Sequence, residues 1–373
     1  MNNCKILTVS MDGRKAGTLA AAPGHLIAFE YDREWLTDGY SISPFSLPLE
    51  KRVFLPKKYD PFDGLFGVFS DSLPDGWGRL LVDRLLQKNK INPAETDSLQ
   101  RLSIVGTSGM GALTYQPESI LHTEKTEISL DQIALECEKI FNSHHSEHLD
   151  ELFQMGGSSG GARPKIFYQM EDAEWIIKFP SSIDKSNIGE QEYKYAQCAK
   201  HCGIAMPETR LLASKRNSGY FAVKRFDRCK KKRIHMISVS ALLETSHRIP
   251  NLDYHILMQL TLKLTNDFRE IEKLYRLMCF NVFAHNRDDH SKNFSFLYDQ
   301  GKWQLSPAYD LTYSNSIGGE HATTVNGNGR NPGMEDLLAV ADRIRLDHAK
   351  AKQIAENIQE IVNEDLREFL ART

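Results

Sequence analysis

The chain has 373 residues, with 46 lysines and arginines against 49 aspartates and glutamates, a formal net charge of −3 and a sequence pI of about 6.5. This length allows two or three packed units, and the near-balanced charge argues against a protein that binds nucleic acid by electrostatics alone. No apolar run reaches membrane-spanning length, and the first residues, Met-Asn-Asn-Cys-Lys, lack the layout of a secretory signal, so we expect a cytoplasmic protein.

Residues 1–117 are expected to form a β-rich subdomain with one clear helix, Gly76 to Lys88, whose leucines recur at helical spacing. The stretch from Gly106 to Gly111 is similar to a dinucleotide-binding loop, but strand-like Ala112-Leu113-Thr114-Tyr115 follows it instead of a helix. We therefore predict a bulged turn. A polar connector and an amphipathic helix through Ile133 come next.

A glycine-rich loop spans residues 155–165, Met-Gly-Gly-Ser-Ser-Gly-Gly-Ala-Arg-Pro-Lys, and precedes a predicted strand at Ile166-Phe167-Tyr168. Glycines let backbone N–H groups approach phosphate oxygens closely. The loop is not a Walker A sequence, because Gly161 is followed by Ala162 rather than by Lys-Ser/Thr, and it is not a Gly-x-Gly-x-x-Gly sequence. Taken alone, it is explained better as a flexible linker than as a phosphate cradle.

The next predicted strand, residues 174–180, carries Lys178 inside an apolar run. A buried ammonium group needs an anionic partner or a route to solvent. Glu190 and Glu192 begin the amphipathic helix that follows, and a strand lysine paired with a helix glutamate is the arrangement by which kinases hold ATP phosphates. We predict that Glu192 is the partner of Lys178.

A β-rich run from Tyr220 ends in charged residues at the position where a bilobed kinase has its adenine-binding strand and hinge. Backbone groups of Lys224, Arg225 and Phe226 are therefore predicted to contact the base, with the Phe226 ring packed in the core. The basic run from Arg228 to Arg233 is predicted to be a solvated turn. The alternative is a contact with DNA phosphates or with an acidic protein partner.

The stretch from His285 to Asp310 carries the clearest chemical signal. Phosphoryl transfer needs a carboxylate that orients the attacking hydroxyl and oxygen ligands that hold Mg²⁺. Asn293 follows Asp288 at the spacing of a kinase catalytic loop. Asp and Asn are also common in ordinary turns, so this spacing alone is weak evidence.

The surroundings of this loop strengthen the prediction. Apolar residues from Phe268 to Val282 recur at helical spacing, so a buried helix delivers the loop. After it, residues 294–298 and 302–305 read as a hairpin around the turn Asp299-Gln300-Gly301, which would return Asp310 to the side of Asn293. Beyond a break at residues 326–332, helical periodicity continues to the end of the chain.

Five segments occur in an order that closely resembles the HipA family of bacterial toxin serine/threonine kinases. They are Gly160-Gly161-Ala162-Arg163-Pro164-Lys165, Ile177-Lys178-Phe179-Pro180, Val223-Lys224-Arg225-Phe226-Asp227-Arg228, Asp288-Asp289-His290-Ser291-Lys292-Asn293-Phe294-Ser295 and Ser306-Pro307-Ala308-Tyr309-Asp310. The fourth is the most specific. Phe69 to Trp77 and Val105 to Leu113 resemble the amino-terminal subdomain of that family, so the resemblance covers almost the whole chain.

The resemblance implies roles for individual residues in an ATP- and Mg²⁺-dependent kinase. Asp288 would be the catalytic base, Asn293 and Asp310 the Mg²⁺ ligands, and Lys178 the phosphate-binding lysine. The ATP cradle would run from Gly160 to Lys165 through Gly161, Ala162 and Arg163, and His290 and Tyr309 would lie near the nucleotide. The implied partners are a protein substrate, an aminoacyl-tRNA synthetase in known cases, a helix-turn-helix antitoxin, and DNA only through that antitoxin.

Family members also inactivate themselves by phosphorylating a serine in the glycine-rich loop. Counting back from Lys165 places that serine at Ser158, with Ser159 as its competitor. A phosphate adds about two negative charges, which would repel the ATP phosphates or expel the loop. In this chain Arg163-Pro164 replaces the commoner polar-acidic pair, and proline has no N–H to offer to phosphate, so the choice between the two serines stays open.

The fold class that follows is α+β, a bilobed protein-kinase-like fold with an N-terminal β-rich subdomain. We expect that subdomain at 1–117, a small kinase lobe with connector helix, glycine-rich loop and hinge at 118–237, and a large helical lobe at 238–373. The function expected is that of a serine/threonine protein kinase toxin. The alternatives are a small-molecule or lipid kinase, which would share the ATP chemistry, and a catalytically silent scaffold for an antitoxin.

Overall fold

The computed structural model describes residues 4–119, 128–142, 146, 148–181, 184–230, 232–315 and 318–371. The chain divides into two compact units. The first unit comprises Met1–Gly189, Leu212–Ile237 and Ala241–Thr245, and the second comprises Glu190–Leu211, Ser238–Ser240 and Ser246–Thr373. Within the described ranges no helix is both long and apolar enough to cross a membrane.

The strands are short and mostly antiparallel. In chain order they are β1 Ile6–Met11, β2 Arg14–Ala21, β3 Ile27–Tyr31, β4 Val53–Phe54, β5 Leu113–Gln116, β6 Lys165–Met170, β7 Ala173–Lys178, β8 Thr209–Leu212, β9 Tyr220–Lys224, β10 Arg228–Cys229, β11 Lys232–Arg233, β12 His235–Ser238, β13 Leu252–Asp253, β14 Ser295–Asp299, β15 Lys302–Leu305 and β16 Thr323–Thr324.

Helices occur in both halves of the chain, and the three longest, α12, α10 and α7, lie in the second half. They are α1 Trp35–Asp38, α2 Gly67–Ser70, α3 Gly76–Lys88, α4 Ser98–Val105, α5 Leu130–Phe141, α6 Leu149–Gly156, α7 Ile188–His201, α8 Val239–Leu242, α9 Tyr254–Thr265, α10 Phe268–Phe283, α11 Met334–Arg343, α12 His348–Asp365 and α13 Arg367–Leu370.

The first unit begins with an antiparallel sheet of order β4-β3-β2-β1-β5. Strand β1 buries Leu7, Val9 and Met11 on one face, the alternation expected of a sheet with one face on the core. Helix α3 has the predicted bounds and buries an apolar stripe that includes Trp77, Leu81 and Leu85. The predicted helix is therefore present beside a sheet, but α1, α2 and α4 make this region as helical as it is strand-rich.

A second helix of regular length in this region, α4, was not predicted. Its first turn is closed by a capping box, in which Asp97 accepts from the Gln100 backbone N–H while the Gln100 side chain accepts from Asp97 N–H. The helix ends at Gly106, and the chain then turns into β5. The predicted turn after Gly106 is thus confirmed, but the sequence between Ser98 and Val105 is helical.

A second antiparallel sheet in this unit contains β6, β7 and β9, with β7 between the other two. Its core-facing residues Ile166, Trp175 and Ile177 pack in one cluster with Trp77 of α3 and Leu152 of α6. This packing holds helix α6 and strand β6, which flank the glycine-rich loop, together with the lysine strand β7.

The basic run predicted to be a solvated turn is only partly so. It forms the small hairpin β10-β11, and Lys230 and Lys232 are exposed, whereas Lys231 lies outside the described residues. Arg228 and Arg233 instead turn inward, and each donates to the carbonyls of Gly109 and Gly111. Arg228 and Arg233, at the two ends of the run, therefore hold the turn that follows α4 in a clamp. They supply the donors that its backbone carbonyls need.

Behind this clamp lies a fully buried carboxylate, that of Asp227. It accepts from the Arg225 guanidinium at 2.7 Å, from Arg228 at 2.8 Å and from Gly111 N–H at 2.8 Å. Burial alone would raise the pKa of Asp227, but the two guanidinium groups outweigh it and lower the pKa. Glu174, whose side chain is 42% exposed, also pairs with Arg225 at 3.1 Å and with Arg228 at 3.7 Å. Removal of Asp227 would therefore leave the two buried guanidinium groups with only this partly exposed carboxylate.

The second unit is mainly helical, with α10 packed against α9 and α12. Strands β14 and β15 form the predicted hairpin, in which Tyr298 faces Trp303 and Asp299 faces Lys302. Both turn residues, Gln300 and Gly301, have positive φ, as a two-residue type I′ hairpin turn requires. The hairpin predicted from the sequence is confirmed, with its first strand one residue later than expected and a two-residue turn.

A prediction about pH follows from Glu244 in the first unit. Burial raises its pKa to about 7, although its carboxylate accepts from Gly67 N–H at 3.1 Å. The folded protein thus retains a proton that the unfolded chain loses near its ordinary pKa of 4.5, so stability falls as pH rises from about 5 to 7. We expect Glu244→Gln, which keeps an acceptor for Gly67, to be the more stable variant at pH 8, by up to about 3 kcal/mol.

The measurement is the free energy of unfolding in denaturant at pH 5 and at pH 8 for wild type and Glu244→Gln. The exposed Glu30 of β3 provides the control Glu30→Gln, which should give the same small difference at both pH values. An advantage of Glu244→Gln that is equal at pH 5 and pH 8 would exclude the assigned titration.

Candidate active site

The segment predicted to be catalytic lies in the second unit, at the end of the buried helix α10. Tyr195 of α7 donates to the carbonyl of Ala284 at 2.9 Å, which fixes the point where the helix ends. Asn286 then donates from its side chain to the Asn281 side chain at 2.9 Å, and Ser314 N–H donates to the carbonyl of His285. These contacts hold the loop before it reaches Asp288.

Asp288 and Asn293 are brought together. The Asn293 side-chain nitrogen donates to the backbone carbonyl of Asp288 at 2.6 Å, and Asn293 N–H donates to the carbonyl of His290 at 2.8 Å. The Asp288 side chain is 59% exposed, and its Oδ1 lies 3.9 Å from His290 Nε2. The loop thus presents the Asp288 carboxylate outward and uses the amide nitrogen of Asn293 internally, which leaves the amide oxygen as the atom that can meet a cation.

Asp310 is connected to the same loop through its neighbour. The hydroxyl of Tyr309 donates to the carbonyl of Lys292 at 2.7 Å and lies 2.6 Å from the hydroxyl of Ser295. Asp310 itself has a φ of 53°, in the left-handed region that few residues other than glycine, asparagine and aspartate occupy. Unusual backbone of this kind is often retained at functional sites.

Asp289, the residue after Asp288, holds the predicted catalytic loop through buried hydrogen bonds. Asp289 is 1% exposed, and its Oδ2 accepts from the Tyr254 hydroxyl at 2.9 Å and from His321 Nδ1 at 3.0 Å. Thr323 donates to it twice, from its N–H to Oδ1 and from its hydroxyl to the carbonyl. Burial raises the pKa of Tyr254 well above its usual range, so its hydroxyl stays a donor.

These supporting residues are not indicated by any local sequence pattern. Tyr254, His321 and Thr323 are separated from Asp289 by more than thirty positions each. The sequence contains two consecutive aspartates, Asp288 and Asp289, but their spacing does not indicate that the side chain of Asp289 points inward. The structure separates them: Asp288 is exposed and Asp289 is buried.

The glycine-rich loop and the lysine strand lie in the first unit. Lys165 and Lys178 are direct cross-strand partners in the β6-β7 pair, and both are largely buried. Directly opposite residues of an antiparallel pair project from the same face of the sheet. The two lysine side chains therefore leave the same face of the sheet, and Lys178 Nζ lies 5.5 Å from the ring centre of Phe221. Two cationic residues on one face favour an anionic partner.

Other predicted nucleotide contacts are placed as follows. Arg163 forms a bidentate ion pair with Asp184, with Nη2 3.0 Å from Oδ1. Burial would raise the pKa of Asp184, but hydrogen bonds from Arg163 and Ser181 outweigh it and lower the pKa. The Arg163 guanidinium is thus engaged by a carboxylate, and Gly160, Gly161 and Ala162 are at most partly buried.

One backbone donor of the predicted hinge is used within the sheet. Arg225 N–H donates to the carbonyl of Glu174 at 2.9 Å, so this group is used inside the sheet. The Arg225 side chain is buried in the Asp227 network and stacks 4.4 Å from the centre of the Phe167 ring. Phe226 is half-buried. The contact of residues 224–226 with adenine stays a prediction.

Glu192 is 3% exposed and lies in the second unit, whereas Lys178 belongs to the first, and their pairing also stays a prediction. Both candidate loop serines are buried. Ser158 is 8% exposed and donates to the carbonyl of Ser108 at 3.0 Å, and Ser159 is 1% exposed and donates to the carbonyl of Gly156 at 2.6 Å.

Comparison with known proteins finds family models and relatives that match most of the chain. A model of the HipA N-terminal domain matches residues 7–116, and a model of the HipA-like C-terminal domain matches residues 157–366. Toxin YjjJ of Escherichia coli K12 is 24% identical over 275 residues, which cover 67% of this chain and 60% of that protein. "Putative kinase Y4mE" of Sinorhizobium fredii is 25% identical over 347 residues, which cover 82% of this chain and 77% of that protein.

A solved structure extends the likeness to the whole fold. HipA of Shewanella oneidensis MR-1, determined together with HipB and operator DNA, matches with a TM-score of 0.72 and 16% identity, over 98% of this chain and 91% of that one. At this identity the match establishes the fold and nothing more. The predicted α+β fold class is therefore confirmed.

Proposed function

The chain belongs to the HipA family, and we propose that it is an ATP- and Mg²⁺-dependent protein kinase that phosphorylates serine or threonine hydroxyls. The observation that carries the proposal is the built loop of the second unit. It joins Asp288 to Asn293 through a 2.6 Å hydrogen bond and joins the segment of Asp310 to Lys292 through Tyr309. The three oxygen-bearing side chains that a kinase needs, those of Asp288, Asn293 and Asp310, would thus lie on one segment whose backbone is held by these hydrogen bonds.

The donor set fits Mg²⁺. This cation prefers oxygen ligands and is bound in kinases through one or two protein side chains together with substrate phosphates. The Asp310 carboxylate and the Asn293 amide oxygen are such ligands, and the hydrogen bond from the Asn293 nitrogen to Asp288 fixes which end of the amide faces outward. When bound, Mg²⁺ would neutralise charge that develops on the transferring phosphoryl group.

The chain's own residues would perform two tasks. The exposed carboxylate of Asp288 would accept a hydrogen bond from the substrate hydroxyl, orient its oxygen for attack and take its proton. The buried Asp289 would keep the backbone of Asp288 in place through Tyr254 and Thr323, since a shift of about 1 Å in a catalytic group can cost about a hundredfold in rate.

Phosphate binding is assigned to the first unit. Lys165 and Lys178, opposite each other on β6 and β7, supply the positive charge, and the glycine-rich loop supplies N–H groups. Arg163 would bind phosphate only if it released Asp184. Its guanidinium would then have a bidentate anionic partner both before and after the exchange. Nucleotide binding would thus be needed to bring Arg163 to the phosphates.

The biological role that we propose is that of a toxin in a toxin–antitoxin pair in the cytoplasm. Support comes from two relatives: one is named a toxin, and HipA of Shewanella oneidensis was solved with HipB and operator DNA. A helix-turn-helix antitoxin and, through it, DNA are the proposed partners. The proposed substrate class is a protein of the translation apparatus, such as an aminoacyl-tRNA synthetase.

The test is to follow the γ-phosphate of labelled ATP in the presence of Mg²⁺ and a set of purified aminoacyl-tRNA synthetases. Wild type should transfer label to a serine or threonine of a protein, and Asp288→Asn should bind ATP in calorimetry but transfer at least about a hundredfold more slowly. Label found on a metabolite or lipid would favour a small-molecule kinase. Absence of ATP binding in wild type would favour a silent scaffold and overturn the proposal.

A further inference from the structure

The chain after Asp310 folds into a small hairpin, residues 321–329. At its base the N–H of His321 donates to the carbonyl of Gly329 at 2.7 Å. Its two-residue turn, Asn326-Gly327, has φ values of 54° and 81°, the left-handed pair that a type I′ turn requires. Asparagine and glycine occupy this backbone with the least strain, so the local sequence favours the turn. We call this element the 321–329 hairpin.

The first strand of the 321–329 hairpin is bonded to the predicted catalytic loop. Ala322 N–H donates to the carbonyl of Arg287 at 3.1 Å. Thr323 donates twice to Asp289, from its N–H to Oδ1 at 3.2 Å and from its hydroxyl to the carbonyl at 2.5 Å. Asp288 lies between Arg287 and Asp289, so the hairpin holds the backbone on both sides of the predicted catalytic carboxylate.

Two further carboxylates hold the hairpin to helices of the same unit. Asp253 caps α9 with one oxygen, and its other oxygen accepts from the Thr324 hydroxyl at 2.7 Å and from Gly327 N–H at 2.8 Å. Asp336, in the first turn of α11, accepts from the Asn328 side chain at 3.0 Å. The hairpin is thus fixed to α9 and α11 as well as to the catalytic loop.

In many protein kinases the segment after the metal-binding aspartate becomes ordered when one of its residues is phosphorylated, because the phosphate pairs with arginine side chains. The phosphate acts there as a set of negatively charged acceptors. Three carboxylates, those of Asp253, Asp289 and Asp336, already provide such acceptors for the 321–329 hairpin. Their donors are main-chain N–H groups and short polar side chains, so the folded hairpin does not depend on a modification.

We propose that the 321–329 hairpin takes the place of an activating phosphate, so that the enzyme is competent without phosphorylation of residues 311–332, and that Thr323 is the positioning residue through which the hairpin holds Asp288. The kinetic consequence rests on the proposed function, whereas the folding of the hairpin does not. A catalytic group displaced by about 1 Å can lose about a hundredfold in rate, so this contact should be visible in kcat.

The first test removes one hydroxyl. Thr323 is fully buried, and Thr323→Val keeps its shape but loses the donor to the Asp289 carbonyl. We expect kcat for phosphate transfer to the purified synthetases to fall at least about tenfold, with KM for ATP changed less than about twofold. Thr323→Ser should recover most of the rate. Thr265→Val is the control, since the Thr265 hydroxyl donates to the Thr261 carbonyl within α9.

Calorimetry with ATP keeps this result interpretable. The number of ATP molecules bound per chain should be equal in wild type, Thr323→Val and Thr323→Ser, which shows that a lower kcat does not come from a smaller folded fraction. A wild-type kcat in a Thr323→Val protein, with an active wild type, would refute the positioning role and leave the kinase standing.

The second test concerns the phosphate itself. Wild type is treated with a protein phosphatase, freed of it, and assayed with Mg²⁺ and ATP while peptide mass spectrometry follows residues 311–332. Transfer should begin at its full rate with no phosphate in this range. A lag that ends as phosphate appears on a serine, threonine or tyrosine of residues 311–332 would contradict the proposal.

The third test does not need kinase activity. Asp253→Ala should raise hydrogen exchange in peptides covering residues 320–331 at least about tenfold, because two hydrogen bonds to a charged acceptor are lost. Asp347→Ala is the matched control, since Asp347 caps α12 in the same way as Asp253 caps α9. Faster exchange in Asp253→Ala beside an inactive wild type would support the held hairpin and count against the proposed kinase. Unchanged exchange in Asp253→Ala would overturn the proposal, whether or not wild type transfers phosphate.

Discussion

Asp310→Asn is expected to lower the rate of phosphoryl transfer by about 10³-fold, because an amide replaces the carboxylate that we assign to Mg²⁺. Asparagine is the appropriate substitution at this position. Asp310 has a φ of 53°, and asparagine tolerates left-handed backbone where alanine is strained. The melting temperature should therefore change little, and a loss of transfer can be read as a loss of chemistry.

The measurement is the initial rate of γ-phosphate transfer at saturating ATP over a range of Mg²⁺ concentrations. Asp299→Asn provides the control, since Asp299 lies in the neighbouring β14-β15 hairpin opposite Lys302. It should retain the wild-type rate. A well-folded Asp310→Asn protein that transfers phosphate at the wild-type rate would remove Asp310 from the proposed metal site.

Asp227→Ala is expected to destabilise the first unit by about 3–5 kcal/mol, the cost of leaving buried charges without their partner. Asp227 is fully buried and accepts from Arg225, Arg228 and the N–H of Gly111. Loss of this carboxylate would leave the buried guanidinium groups of Arg225 and Arg228 without this shared buried acceptor. The turn after α4 would also lose the acceptor of Gly111 N–H. Denaturant unfolding at pH 7 measures the effect.

A second ion pair of the same unit provides the comparison. Asp38 binds Arg14 at 2.5 Å, but both side chains are at least half exposed to solvent. Asp38→Ala should leave the unfolding midpoint nearly unchanged, because exposed pairs contribute little. Equal effects of Asp38→Ala and Asp227→Ala would show that burial of the Asp227 network does not determine its contribution.

Local patterns were sufficient for elements with strong periodicity or turn chemistry. The helix α3 and the β14-β15 hairpin were predicted to within a residue or two, since leucines at helical spacing and an Asp-Gln-Gly turn act over short distances. Helix α4 was missed because its eight residues offer little periodicity. Its one strong sequence signal is the capping box of Asp97 and Gln100, which marks only where the helix begins.

The candidate site divides in the same way. Asp288 and Asn293 are five positions apart, so the hydrogen bond from the Asn293 side chain to the Asp288 carbonyl joins near neighbours in the sequence. The contact between Asp75 and Gly161 spans 86 residues, and that between Gly111 and Asp227 spans 116. Partners so far apart are chosen by tertiary packing, and no pattern in a single sequence contains that information.

The most direct test of the central claim is intact and peptide mass spectrometry of the purified chain and a protein substrate after incubation with Mg²⁺ and ATP, with wild type and Asp288→Asn compared. The account predicts phosphate on serine or threonine with wild type and none, over the same time, with Asp288→Asn. ATP binding by both proteins in calorimetry, without phosphate on any protein in the wild-type reaction, would contradict it.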